Sequence, residues 1–168
     1  MTYRELTPGE LAEHRRWMAL ALEEARLAGL RGEVPVGAVV VREGVLIARG
    51  GNTREGEGCA LGHAELAAIG GACRTLGDWR LTNCTLYVTL EPCCMCAGAC
   101  LNARLARVVY GAADEAAGCL GSRADLFAMG LAGGDPPRVL GGILEDECRE
   151  VLRAFFEENR TQAKGRGK

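Results

Sequence analysis

Leu11, Met18, Ala21, Leu22 and Ala25 recur at spacings of three, four and seven, which is the apolar stripe of one helical face. Thr7-Pro8-Gly9-Glu10 stands just ahead of it. Threonine can cap, proline suits the first helical position, and a glutamate three residues after the threonine can complete a capping box. A helix is therefore predicted to begin here and to stop near Gly29. His14 falls on the apolar stripe and reads as a half-buried, hydrogen-bonded core histidine rather than a ligand. The period then changes. "VPVGAVVV" and "VLIAR", short and β-branched, flank "REG" and predict a β-hairpin. Residues 50–62 form a polar, glycine-rich loop. "HAELAAIGGACRTLG" predicts a helix that starts near His63 and fails around Gly70 and Gly71. "TLYVTL" predicts a strand, "CMCAGACLNAR" a helix and "RVVYGA" a strand. That alternation implies right-handed crossovers, parallel neighbours and a layered α/β fold. "AADEAAGCLGSRADLFAMGLAGGDPP" has too many glycines for a long element and is predicted as loop with a short helical turn. "RVLGG" reads as a last strand, and Leu144, Cys148, Val151, Leu152 and Phe155 as one face of a C-terminal helix.

Composition bounds the rest. A chain of 168 residues, 48% hydrophobic, fits one domain that buries roughly 70% of its unfolded surface. We expect a single domain over residues 1–160 and a basic, disordered tail over 161–168. The first residues carry no basic stretch leading into an apolar one, and no apolar run approaches the ~18 residues that cross a bilayer. A cytoplasmic protein without a membrane partner is expected. Nine cysteines, an odd number without an export signal, point to reduced thiols and not to a disulfide framework. A net charge of −2 does not announce a nucleic-acid binder and does not exclude one, because positive charge gathers locally at Arg15, Arg16, Arg104, Arg107 and the tail.

The chemistry concentrates after Pro92. Cys93 and Cys96, three residues apart at a predicted helix start, can face a common centre, and the free N–H groups there favour thiolate. Such a pair binds metal or does redox work, so a thioredoxin-like reading stays open on these residues alone. His63-Ala64-Glu65, also at a predicted helix start, moves the balance. One imidazole and two thiolates give zinc three protein ligands and leave the fourth position for water. Glu65 is then the candidate proton carrier. Residues at i and i+2 of a regular helix point apart, so His63 and Glu65 share a site only if His63 sits at an irregular helix edge. Cys94 is predicted to face away and Cys100 to lie in the core. Cys59, Cys73, Cys84, Cys119 and Cys148 lack metal spacing and read as small hydrophobic residues.

The order H-x-E followed by P-C-x-x-C is that of the zinc nucleobase deaminases. On these residues, and on "EVPVGAVVV", "LYVTLEPCCMCAGA", "RVVYGA", "GILEDEC" and the pair Phe155-Phe156, the chain resembles the cytidine deaminase-like zinc hydrolases over residues 14 to 158. Within them it is most similar to the bacterial tRNA adenosine deaminases, which convert wobble adenosine to inosine. The resemblance implies a three-layer α/β/α fold around a five-stranded mixed sheet and a homodimer holding one zinc per subunit. It implies that His63, Cys93 and Cys96 hold the metal and that Glu65 shuttles protons. By the same resemblance Asn52 contacts the target base and the main chain at Ala64 positions it. Val34, Pro35, Val36, Leu90 and Glu91 would line the pocket, Asp114 would lie near ribose or backbone, and Phe155 and Phe156 would join the substrate contacts. The implied partner is a tRNA anticodon loop, whose unstacked bases cost only about a few kcal/mol to extrude.

Two departures bear on the substrate. Cys59-Ala60-Leu61-Gly62 stands where that family usually has Asp-Pro-Thr-Ala, and Ala113 and Ala116 stand where basic residues commonly flank the position of Asp114. Fewer phosphate contacts imply weaker, less salt-sensitive RNA binding. Two further readings therefore stand beside the first. One is a related deaminase of a free base or nucleoside, such as guanine or cytosine. The other is a non-catalytic zinc- or RNA-binding module whose site Cys59 closes.

Overall fold

The computed structural model describes residues 6–131 and 135–165. The capping box forms as the sequence predicts. Thr7 accepts the Glu10 N–H at 3.3 Å and its own N–H donates to the Glu10 carboxylate at 2.9 Å, opening helix α1, Pro8–Leu30. The helix runs through Gly29, and the chain turns at Gly32, where φ is +83°. Strands β1, Gly37–Arg42, and β2, Val45–Gly51, form the hairpin. Glu43 and Gly44 between them both take positive φ, the turn whose twist matches paired strands. Then follow α2 (Arg54–Glu57), α3 (Ala64–Leu76), β3 (Cys84–Leu90), α4 (Cys94–Asn102), β4 (Arg107–Ala112), β5 (Arg138–Leu140) and α5 (Glu145–Gly165).

The sheet order is β2-β1-β3-β4-β5. β1 lies antiparallel to β2 and β3, whereas β3, β4 and β5 are parallel, joined by α4 between β3 and β4 and by the long segment after β4 between β4 and β5. Side chains alternate across this sheet. Val39, Val41, Tyr87 and Val109 pack beneath α1 and α5 with Trp17, Met18, Leu22, Ile143 and Cys148. Val40, Leu86, Val88 and Val108 pack against α3 and α4 with Ala68, Ala72, Ala97 and Cys100. The result is the layered α/β fold that the alternation of elements predicts, in the three-layer α/β/α form with a five-stranded mixed sheet that the resemblance implies.

His14 is buried in the layer that contains α1. Arg107 Nη1 lies 3.3 Å from its Nε2, and a guanidinium can only donate, so Nε2 accepts and Nδ1 carries the proton toward the Tyr87 hydroxyl, 2.9 Å away. It is the core histidine expected.

Two elements differ from expectation. α3 does not fail at Gly70 and Gly71 but continues to Leu76, ending at Gly77 in the left-handed region. A Cβ on Gly71 would stand 3.1 Å from that of Ala48, and one on Gly50 would stand 2.4 Å from the Ala64 carbonyl oxygen. These glycines let α3 press onto β2, and that contact outweighs the weak helical propensity of glycine. The loop at 52–62 contains the short helix α2, whose four residues are too few to show a period. The segment after β4 is loop, as predicted, with turns and a Leu120–Asp125 bridge but no helix among the described residues. α5 runs on through Gly165, and residues 166–168 of the basic tail lie outside the described residues.

Candidate metal centre and catalytic site

The site gathers where α3 and α4 begin. His63 is the N-cap of α3, with φ −88° and ψ 143°. Its extended backbone lies outside the helical rotation that would separate it from Glu65, so both side chains line one cleft. Cys93 is the N-cap of α4, and Cys96 lies three residues on in its first turn. The His63 Nδ1 lies 3.8 Å from the Cys93 sulfur and 3.4 Å from the Cys96 sulfur, and all three atoms fall within 4.8 Å of one another. Among the described residues, only these His, Cys, Asp and Glu side chains converge as a group of three. Cys59 stands outside it, partly buried in the preceding loop. Cys94 is exposed and Cys100 is buried, as expected.

The donor set fits zinc. One imidazole nitrogen and two sulfurs are borderline-soft ligands in the number that leaves a coordination position free. The Cys96 thiol beside it, then the Cys96 N–H, His63 and the Met95 N–H, lower the Cys93 thiol to about 5 against the opposing effect of burial. Cys96 is pushed up, first because it donates to Cys93 and then because it is buried. Glu65 is buried beside them, and that burial raises its pKa above the ordinary carboxylate value. A carboxyl so raised can exist in both protonation states nearer neutrality, which suits proton transfer.

A cleft of about 190 Å³ opens over the cluster. This is below the roughly 300–1,000 Å³ of drug-sized sites and suits one base-sized group. His63, Ala64, Glu65, Leu90, Glu91 and Cys93 line it, together with Val34, Val36, Asn52 and Asp114. Asn52 is buried, and its N–H donates to the Val36 carbonyl at 3.1 Å, tying the loop to the segment before β1. Arg54, Glu55 and Ala117 also line the cleft, and sequence reasoning did not single them out. Arg54 and Glu55 belong to α2, which has no periodic signal, and Ala117 reaches the cleft only through the folding of its loop. Phe155 and Phe156 lie on α5 outside this lining, with ring centroids 5.5 Å apart at 76°. Glu91 is buried and accepts N–H bonds from Asp114, Leu120 and Ser122. Burial works against its charge, but hydrogen bonds led by those of Ser122 outweigh it and hold the carboxyl below the usual range.

Residues 12–129 match the MafB19-like deaminase family, and the chain is 47% identical to the tRNA-specific adenosine deaminase of Bacillus subtilis over 88% of its length and 91% of that protein's. This chain belongs to the MafB19-like deaminases. A solved structure from a study of A-to-I editing by tRNA:A34 deaminases superposes on this deaminase with a TM-score of 0.78 at 46% identity, covering 82% of this chain and 99% of that one. The guanine deaminase of Nitrosomonas europaea superposes with a TM-score of 0.69 at 25% identity, covering 89% and 93%. The deaminase is thus much nearer in sequence to the tRNA-acting relative than to the guanine-acting one.

Proposed function

We propose that the protein is a zinc-dependent hydrolase that converts wobble adenosine to inosine in the anticodon loop of tRNA. The observation that carries this reading is the convergence of His63, Cys93 and Cys96 with buried Glu65 beside them in a base-sized cleft. The identity to tRNA-specific adenosine deaminases supports the choice of substrate. His63, Cys93 and Cys96 would hold zinc, which when bound lowers the pKa of a coordinated water to about 7. Asn52 and the main chain at Ala64 hold the base in the cleft. Glu65 takes a proton from the water that adds to C6, delivers it to the ring nitrogen, and passes a second to the departing ammonia. Adenosine and water thus become inosine and ammonia. Val36 and Leu90 supply apolar walls to the base. A homodimer and a cytoplasmic location belong to the same proposal, the former checked by sedimentation of the zinc-loaded protein.

The test is inosine formation from an anticodon stem-loop carrying wobble adenosine. The parent should form it, and Glu65→Ala should lose at least about 10²-fold in rate while keeping its zinc, the size of a general acid–base contribution. Ammonia released from guanine or cytosine, with no inosine, would instead favour the free-base reading. Zinc bound with no turnover of any of these would favour a non-catalytic module.

A further inference from the structure

We propose that Glu33 and Glu91 are positioning residues, buried carboxylates that hold two loop segments of the cleft, residues 54–56 and 114–122, in the shape the substrate meets. The proposal rests on the deaminase reading for what the cleft binds. Glu91 is 2% exposed, and its Oε1 accepts the Leu120 N–H at 2.9 Å and the Ser122 N–H at 3.1 Å. Its Oε2 accepts the Asp114 N–H at 3.1 Å and the Ser122 hydroxyl. A carboxylate offers about four lone-pair directions. Four donors occupy them, which leaves none for a substrate even though Glu91 lies in the cleft wall. The order propagates along the loop. Asp114, anchored by its N–H, accepts from Ala116 and Ala117 at 2.9 and 3.2 Å, and Ala117 lines the cleft. Gly118 bridges to Cys93, and the Cys119 N–H donates to the Pro92 carbonyl at 2.9 Å. The loop is thereby fastened to the stretch that carries a metal ligand.

Glu33 repeats the device on the other segment. It is 3% exposed, and its two oxygens accept the N–H groups of Glu55 at 3.0 Å and Gly56 at 2.6 Å. This fixes the residues that bring Arg54 and Glu55 to the cleft. Each carboxylate also sits against a glycine. A Cβ on Gly118 would stand 2.5 Å from the Glu91 carboxyl, and one on Gly56 would stand 3.1 Å from Glu33 Oε1. At Gly118 the backbone comes this close only because no side chain intervenes, and at Gly56 a side chain would crowd the carboxylate. Hydrogen bonds to an ionised acceptor are about twice as strong as neutral ones, so one buried charge can order a loop without an element of its own.

The experiment compares the zinc-loaded parent with Glu33→Gln, Glu91→Gln and the milder Ser122→Ala. Amide hydrogen exchange, zinc content, and kcat and KM on the stem-loop are measured separately. Glutamine keeps the shape but removes the charge and one acceptor. Glu91→Gln should speed exchange in 114–122 about tenfold and leave 54–56 unchanged, and Glu33→Gln should do the reverse. In both, KM should rise about tenfold with kcat within about threefold and zinc at the parental level. Unchanged exchange in a variant's own segment would overturn its clamp. A fall in kcat at constant KM would instead give the carboxylate a part in the chemistry and overturn its role as a positioner. If Glu91→Gln does not fold, Ser122→Ala decides, since it should speed exchange of 114–122 about threefold and no change would reject the clamp. A zinc-loaded parent that forms no inosine would remove the deaminase reading, while the exchange measurements still decide the clamps.

Discussion

Cys94 and Cys96 differ by two positions and by almost everything else. Cys96 is fully buried with its sulfur 3.4 Å from the His63 imidazole, whereas Cys94 is exposed and outside the converging group. This contrast follows from helix geometry, because Cys93 and Cys96, three apart at a helix start, share a side, and Cys94, next to Cys93, does not. Cys96→Ser should lower zinc affinity by more than the roughly 10–100-fold typical of altering a ligand's outer partner, and Cys94→Ser should leave it unchanged. Competition with a chelating dye measures both. Equal losses would mean that Cys94 enters the coordination sphere. The sequence made this part of the site legible because ligand type and spacing are local properties, as was the irregular edge at His63. It left the ligating nitrogen open, and the structure turns Nδ1 toward the sulfurs. Nor did it reveal that Glu91, expected as a lining residue, spends its acceptors on a loop some thirty positions downstream. No local pattern encodes a carboxylate's distant donors.

At the scale of elements, a buried polar triad helps to fasten α1 to the sheet, beside the more exposed pairing of Arg49 on β2 with Glu23 and Glu24. His14 joins Tyr87 on β3 and Arg107 on β4, with Glu10 and Glu13 also near it. Burial first, then Arg107, lowers the His14 pKa below 6.5, against smaller opposing effects of the two glutamates. The folded chain therefore binds fewer protons here than the unfolded one once the pH falls below that value. This contribution to stability is complete above pH 6.5 and is lost as pH falls through the window down to the folded value. His14→Asn removes the titration, so its urea midpoint should change less between pH 7 and pH 5 than the parent's. An equal pH dependence in the two proteins would refute a buried neutral imidazole. The order of the longer elements was readable because α1 and α5 carry an apolar stripe and β1 and β3 are short β-branched runs, whereas four-residue α2 left no period to read. Gly70-Gly71 was misjudged for another reason, since glycine's helical propensity argues for a stop. The close approach of α3 to Ala48 on β2 needs a missing side chain, and only the packed molecule makes that visible.

For the molecule as a whole, charge sets the terms of any RNA encounter. The chain carries a net charge of −2, and around the cleft Arg54 is accompanied by Glu55, Glu65, Glu91 and Asp114. A neighbouring groove of about 480 Å³, which shares Leu90 with the cleft, presents Arg149 and Arg153. Their guanidinium groups are already engaged, Arg149 by Glu145 at 2.6 Å and Arg153 by Glu150 and Glu157 at 2.7 and 2.8 Å. These pairs are exposed and hold together only weakly, yet a phosphate must displace a carboxylate to use either arginine. Affinity for a stem-loop should accordingly come more from the extruded base than from counterion release. Each phosphate contact with a single strand contributes about −0.7 to the slope of log affinity against log salt. Two or three such contacts give a slope no steeper than about −2, to be measured by titrating inactive Glu65→Ala with labelled stem-loop across a salt series. A slope twice as steep would require cations beyond the cleft, and the basic residues near the C-terminus, Arg160, Lys164, Arg166 and Lys168, are the concentration of such charge in the sequence. Truncation after Glu158 would then flatten the slope. If binding is base-centred, the same truncation should leave the slope as it was.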